Sequence, residues 1–292
     1  MNALLPLSTA TLDLSFARRG DRTVLDKRLF AWPFVLTRTF HLDAVPAHML
    51  TVMLQTSSST LLGEDRLIQR FRLGQGAAAH LTTQGASPVH RAHPGMTARE
   101  AVEITVGPDA LLEYLPEPRI LFPGAALDQS IDIDCAPSGT LILSDAFTVH
   151  DPERTGLGFR QMASIVTLRF DGGEPALIDR FDIAQLGRGR AARYTAFGNL
   201  FLVAPLPAEI LERLALDLSA ALGAMPGLYG AASLLPGDIG IGIRLAAEDL
   251  RAVRAGRDLV WTAMRQQLCG QAPTSRRNGE DLPRPVSAQG QR

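Results

Sequence analysis

Cysteine is almost missing from this chain: there are two, Cys135 and Cys269, among 292 residues. Two thiols so far apart give neither a zinc-ligand pattern nor a disulfide framework, and a reducing compartment, the cytoplasm, is the expectation. Tyrosine and tryptophan are scarce as well, at three and two residues, so the ring platforms that commonly hold sugars are thin. Nothing approaches the ~18 consecutive apolar residues of a membrane span. The N-terminus lacks a basic region followed by an apolar one. Lys and Arg together number 29 against 30 Asp and Glu, for a formal net charge of −1. With no basic block, the electrostatic footprint of a nucleic-acid binder is missing. There is also no P-loop, no dinucleotide fingerprint and no Gly-x-Ser-x-Gly elbow.

What is present is apolar mass. The chain is 46% hydrophobic and 20% charged, which is enough to bury a sizeable core. Up to about residue 206 short apolar stretches alternate with Gly, Pro and Asp turns, the pattern of many short strands. Ala101 to Val106 and Ile131 to Cys135 alternate strictly. Ser164 to Phe170 and Ala176 to Ile183 flank Asp171-Gly172-Gly173-Glu174, a hairpin signal. A faint repeat of strand, small turn and strand recurs at roughly 30 residues, with turns at Gly74-Gln75-Gly76, Gly107-Pro108-Asp109 and Ala136-Pro137-Ser138-Gly139. A unit that cannot bury its own face must stack. The pattern therefore predicts a mainly β fold of stacked hairpins or β-helix-like sheets, with an antiparallel meander as the plainer alternative.

Two α-helices are expected in the C-terminal third. One covers Pro207 to Leu222 with Gly223 as a left-handed cap, and the other runs from about Ala247 to Cys269 and stops at Gly270. A strand with alternating Ile239, Ile241, Ile243 and Leu245 lies between them. Residues 1–270 read as a single β-rich domain. From Gln271 to Arg292 the chain is polar and rich in Pro, Arg and Gly, a tail too poor in apolar residues to offset its ordering entropy.

The titratable residues give few chemical patterns. His90 and His93 form an H-x-x-H broken by Pro94, and exposed loop histidines without a metal are the expectation. A serine triad built on Ser87 and His90 can be written for most chains of this length. The adjacent carboxylates Glu64 and Asp65 fit acid–base work or a hard cation, and they keep a carbohydrate hydrolase in view; a polar turn at a strand end is the plainer reading. Glu113 is less ordinary. It sits among Leu112, Tyr114 and Leu115, and Pro116 and Pro118 flank Glu117 just beyond it. The prolines hold the chain extended, and a carboxylate in such a setting needs a partner or water.

Thr82-Thr83-Gln84, Val89-His90-Arg91 and the segment from Leu112 through Tyr114-Leu115-Pro116-Glu117-Pro118 to Phe122 resemble the urease accessory protein family UreD, also called UreH. Ile243-Arg244-Leu245 and a helix bearing Trp261, Arg265, Leu268 and Gly270 extend the likeness over roughly residues 10 to 270. The family's glycine-rich first motif reads Ser59-Thr60-Leu61-Leu62-Gly63-Glu64-Asp65 here, which keeps Gly63 and Asp65. A downstream Gly-Arg segment is replaced by Ala146 to Arg154. The chain is thus identified as a diverged member. The resemblance implies an all-β fold with β-helical stacking and appended helices. It implies a non-catalytic scaffold that binds UreF, which recruits the GTPase UreG, and that docks on urease apoprotein. It further implies no tightly bound cofactor, with nickel passing in transit. By motif position Asp65 and Glu113 are expected on the nickel path, with Thr83, Gln84, Asp145 and Glu64 as weaker lining. A pure adaptor without nickel transfer is the other outcome that this divergence leaves open.

Overall fold

The computed structural model describes residues 11–58, 60–153, 156–184 and 193–274. Ser59, Arg154 and residues 275–292 of the expected tail lie outside the described residues.

In chain order the strands are β1 (Leu12–Arg19), β2 (Arg22–Phe30), β3 (Phe34–Leu36), β4 (Leu50–Thr56), β5 (Arg66–Leu73) and β6 (Ala78–Thr83). Next come β7 (Ser87–Val89), β8 (Ala98–Val106), β9 (Leu111–Tyr114), β10 (Arg119–Leu121), β11 (Ala126–Cys135) and β12 (Thr140–Val149). The rest are β13 (Gln161–Phe170), β14 (Pro175–Ile183), β15 (Ala196–Val203), α1 (Ala208–Gly223), β16 (Leu228–Leu234), β17 (Gly240–Ala247) and α2 (Leu250–Cys269).

Two facing sheets result. The first runs β14-β13-β11-β8-β5-β1-β2, and the second runs β16-β17-β15-β12-β9-β6-β4-β3. The turns picked out by the repeat do not close hairpins. Each carries the chain from one sheet to the other, and like strands then pair in parallel: β5 with β8, β8 with β11, β6 with β9, β9 with β12. The stacking is therefore the β-helix-like one, built of arches. Backbone bonds between successive turns hold the stack, such as Leu111 N–H to Ala77 O at 2.9 Å and Thr140 N–H to Ala110 O at 2.8 Å. The hairpin around Asp171-Gly172 forms as its sequence requires: β13 and β14 are antiparallel.

Both helices pack on the outer face of the second sheet. Leu211, Leu214, Leu218 and Leu222 of α1 and Val253, Val260 and Met264 of α2 are buried with Ile142, Leu200, Ile243 and Leu245 of the sheet. At ~25 cal/mol per Å2 each such leucine contributes roughly 1.5–3 kcal/mol. α2 begins where Asp249 caps it, its side chain accepting from the Ala252 N–H at 2.8 Å, so the helix starts three residues later than its apolar pattern indicates. Gly270 closes it in the left-handed conformation. Gly223 does not act as the corresponding cap: it is the last helical residue of α1, and Ala224 follows in right-handed geometry. No helix of the described residues is long and apolar enough to cross a membrane.

Candidate functional site: a carboxylate clasp and a buried polar seam

Strand alternation places Glu113 on the outer face of its sheet, under α2. Its neighbour in register on β6 is His80, whose Nδ1 lies 2.7 Å from Glu113 Oε2. From α2, Arg265 donates Nε to Oε1 and Nη2 to Oε2, both at 2.5 Å, and its Nη1 reaches Asp43 at 3.2 Å. Trp261, one turn earlier, stacks on the His80 ring at 5.1 Å between centroids. Glu113 and Arg265 are both wholly buried. Burial pushes the Glu113 carboxyl up, but the hydrogen bonds and charges of His80 and Arg265 outweigh it and hold the pKa at about 2.

A second carboxylate of the same segment is clasped by the same helix. Arg254 Nε donates to Glu117 Oε2 at 2.6 Å and Arg257 Nη2 donates to Oε1 at 2.8 Å. The Glu117 N–H donates to Thr83 Oγ1 at 2.9 Å, and Thr82 Oγ1 donates to the Leu115 carbonyl at 2.9 Å. The two sequence elements singled out above, Thr82-Thr83-Gln84 and the Pro-flanked run after Glu113, are thus bonded to each other and pinned by α2.

The space between the sheets is different. Along β5, β8, β11 and β13 the inward positions are apolar, except for Gln69, Glu100, Gln129 and Ser164. Asp145 of β12 meets them from the other sheet, accepting from Ser164 Oγ at 3.1 Å. Arg119 of β10 bonds Glu100, which also accepts from Gln69 at 2.8 Å. Burial raises the Asp145 pKa, a rise that the hydrogen bonds of Gln129 and Ser164 and the Arg119 charge only partly offset. Burial likewise raises the Tyr114 phenol, and the Glu100 charge adds to it.

This seam borders two cavities, and another adjoins the first of them. One of about 220 Å3 is lined by Gln69, Thr83, Gln84, Glu100, Tyr114 and Arg119. A second, of about 790 Å3, lies beside α2 and shares Thr83, Gln84 and Gly85 with the first. A third, of about 720 Å3, shares Leu67 and Glu100 with the first and adds Gln129 and Ser164.

Of the residues expected at a site, the structure gathers Thr83 and Gln84 at the cavities, and Asp145 in the seam beside them. Glu113 sits one layer away, across its own sheet. Asp65 lines none of these cavities; its Oδ2 accepts from the Leu62 N–H at 2.8 Å and closes a turn. Glu64 is exposed, 4.0 Å from the exposed His93. The two carboxylates thus make separate contacts, one at the surface and one within the turn. Gly63, retained from the first motif, packs against the chain at Ala92, whose Cα is 2.6 Å from where a Cβ would stand. His90 stacks on Phe122 at 4.9 Å. Among the described residues no three His, Cys, Asp or Glu come together as a metal cage.

Gln69, Glu100, Gln129, Ser164 and Arg119 went unrecognised in the sequence. Four of them carried a usable signal. Glu100 is in phase with Val102, Ile104 and Val106; Gln129 with Leu127 and Ile131; Gln69 with Leu67 and Phe71; Ser164 with Met162 and Val166. A polar residue on the apolar phase of a strand is buried by the fold and needs a partner.

The model of the family described as UreD urease accessory protein matches residues 8–279. The chain is 48% identical to urease accessory protein UreD 2 of Bradyrhizobium sp. (strain BTAi1), over 95% of this chain and 96% of that one. It is 47% identical to the UreD 2 of Bradyrhizobium sp. (strain ORS 278), with the same coverage. Identity to UreD 1 of Methylorubrum extorquens (strain PA1) is 33%, over 90% of each chain. The chain belongs to the UreD family of urease accessory proteins, and its role is in urease maturation, not in catalysis of its own.

Proposed function

We propose that this chain is a cytoplasmic, chaperone-like scaffold that binds UreF and urease apoprotein, works with UreG, and helps deliver nickel to the urease active site. The observation that carries this reading is the polar seam inside an otherwise apolar β-helix-like stack. Burying Glu100, Asp145, Gln69, Gln129 and Ser164 costs stability that apolar residues would not cost. A cation in transit supplies a reason to keep them. Carboxylates, amides and hydroxyls are oxygen donors that exchange a divalent ion without caging it, unlike thiolates or grouped imidazoles. Thr83, Gln84 and Asp145 line this route. Glu113 and Glu117 act as the anchors by which α2 holds the strand end in place, and Asp65 shapes the turn before β5.

Glu100→Gln and Asp145→Asn test the reading separately. Each variant is co-expressed with urease and its accessory partners, and nickel per urease is measured by elemental analysis alongside co-purification. Delivery through the seam predicts intact complexes and a several-fold fall in urease nickel for each variant. Fully loaded urease from both variants leaves the adaptor without nickel transfer as the surviving account. Failure to co-purify with any UreF partner removes both.

A further inference from the structure

We propose that Arg119 is a displaceable plug in the seam, its guanidinium standing where a divalent cation would sit between Glu100 and Asp145. This inference rests on the delivery reading above. Arg119 is bound to Glu100, and the side chain is 12% exposed. It borders the 220 Å3 cavity on one side. On its other side it borders a void of about 10 Å3 shared with Gln129, Ser144, Asp145 and Glu117, the size of one water. Ser144 borders that void, but its buried hydroxyl lies in phase with Ile142, on the α2 face of β12, and Asp145 alone of the two points into the seam.

The charges explain why a plug is needed. Two buried carboxylates beside amide and hydroxyl oxygens form a cation site, and a divalent ion would neutralise the pair completely. With no competing charge, this doubly charged point of the route would exchange its ion more slowly than the single oxygen donors around it. A resident guanidinium competes for the same oxygens and is itself permanently charged. It lowers the affinity for an arriving cation and refills the site behind a departing one. The backbone under it is fixed, because β10 pairs with β7 at Ser87 and with β12 at Phe147. Motion therefore belongs to the flexible side chain.

The test is titration of the purified full-length chain with Ni2+ by calorimetry, with Co2+ absorption reporting the ligand geometry. Arg119→Gln is expected to bind one Ni2+ per chain at least roughly 100-fold more tightly than the unaltered chain, as removal of a unit charge a few ångströms from a divalent ion requires. Arg119→Lys, which keeps the charge, is expected to stay weak. Adding Glu100→Gln to Arg119→Gln is expected to abolish the gain. Binding by Arg119→Gln no tighter than that of the unaltered chain overturns the proposal, as does a gain that survives neutralising both Glu100 and Asp145. If Arg119→Gln does not fold, Arg119→Leu replaces it. If neither folds, Arg119 is a structural counter-ion and the plug is disproved. The two readings separate cleanly. Tight binding by Arg119→Gln while Asp145→Asn leaves urease fully loaded retains the cation site and removes delivery. Depleted urease from Asp145→Asn with no tightening removes the plug alone.

Discussion

Arg265→Ala is expected to cost roughly 3–5 kcal/mol and to remove most of the folded chain at 37 °C. The reason lies in what the substitution leaves behind. Glu113 is wholly buried and takes two hydrogen bonds from this one guanidinium, while Asp43 loses the same partner. The result is a wholly buried Glu113 that keeps His80 but loses the guanidinium that took both of its oxygens. It also unfastens α2 from β9, a contact between residues 152 apart in sequence. Glu113→Gln combined with Arg265→Gln removes the charges together and is expected to recover much of the loss. Arg254→Ala is the control: Arg254 is partly exposed and Glu117 keeps Arg257, so the cost is expected below about 1 kcal/mol. Urea midpoints of the four proteins order them. A midpoint for Arg265→Ala equal to that of Arg254→Ala would contradict the clasp.

Acid is expected to open the same clasp. The folded-state pKa of Glu113, about 2, lies below its ordinary value of 4.5. A depressed carboxyl contributes stability that is fully present above the ordinary value and is lost as pH falls from about 4.5 through about 2. The difference corresponds to on the order of 3 kcal/mol for this one group. Glu117, also held low by Arg257 and Arg254 against its burial, acts in the same direction at a more exposed site. The comparison that isolates Glu113 is the unaltered chain against Glu113→Gln, followed by urea midpoint from pH 7 to pH 2. The variant starts lower and is expected to decline less steeply below pH 4.5. Parallel curves would show that Glu113 is not held low by its partners.

Much of this was legible in the chain. The alternation of Ala101 to Val106 and Ile131 to Cys135 specified strands that fall where the structure has them. The apolar spacing of Leu211, Leu214, Leu218 and Leu222 specified one helix face. The small turns at Gly74, Gly107 and Gly139 specified stacking, but not which sheet each strand joins. That choice is made by pairing partners some thirty residues away, and turn chemistry does not encode it. Glu113 was legible as a carboxylate in need of a partner. That the partner is Arg265 was not, because helix docking decides it. Arg119 was hidden because β10 is three residues long and offers no alternation to mark an inward position. Glu100 stands in plain view, one step before the alternating run from Ala101 to Val106.

The seam itself is tested most directly by placing a soft ligand in it. Ser164 donates to Asp145 and, with Gln129, lines the 720 Å3 cavity. Ser164→Cys puts a sulfur there, and a thiolate holds late first-row metals far more tightly than a hydroxyl does. If nickel passes this point, the variant chain is expected to purify with nickel bound and the urease matured with it to be depleted several-fold, while Ser164→Ala changes little. Nickel-free Ser164→Cys chain together with fully loaded urease would show that nickel does not travel through the seam.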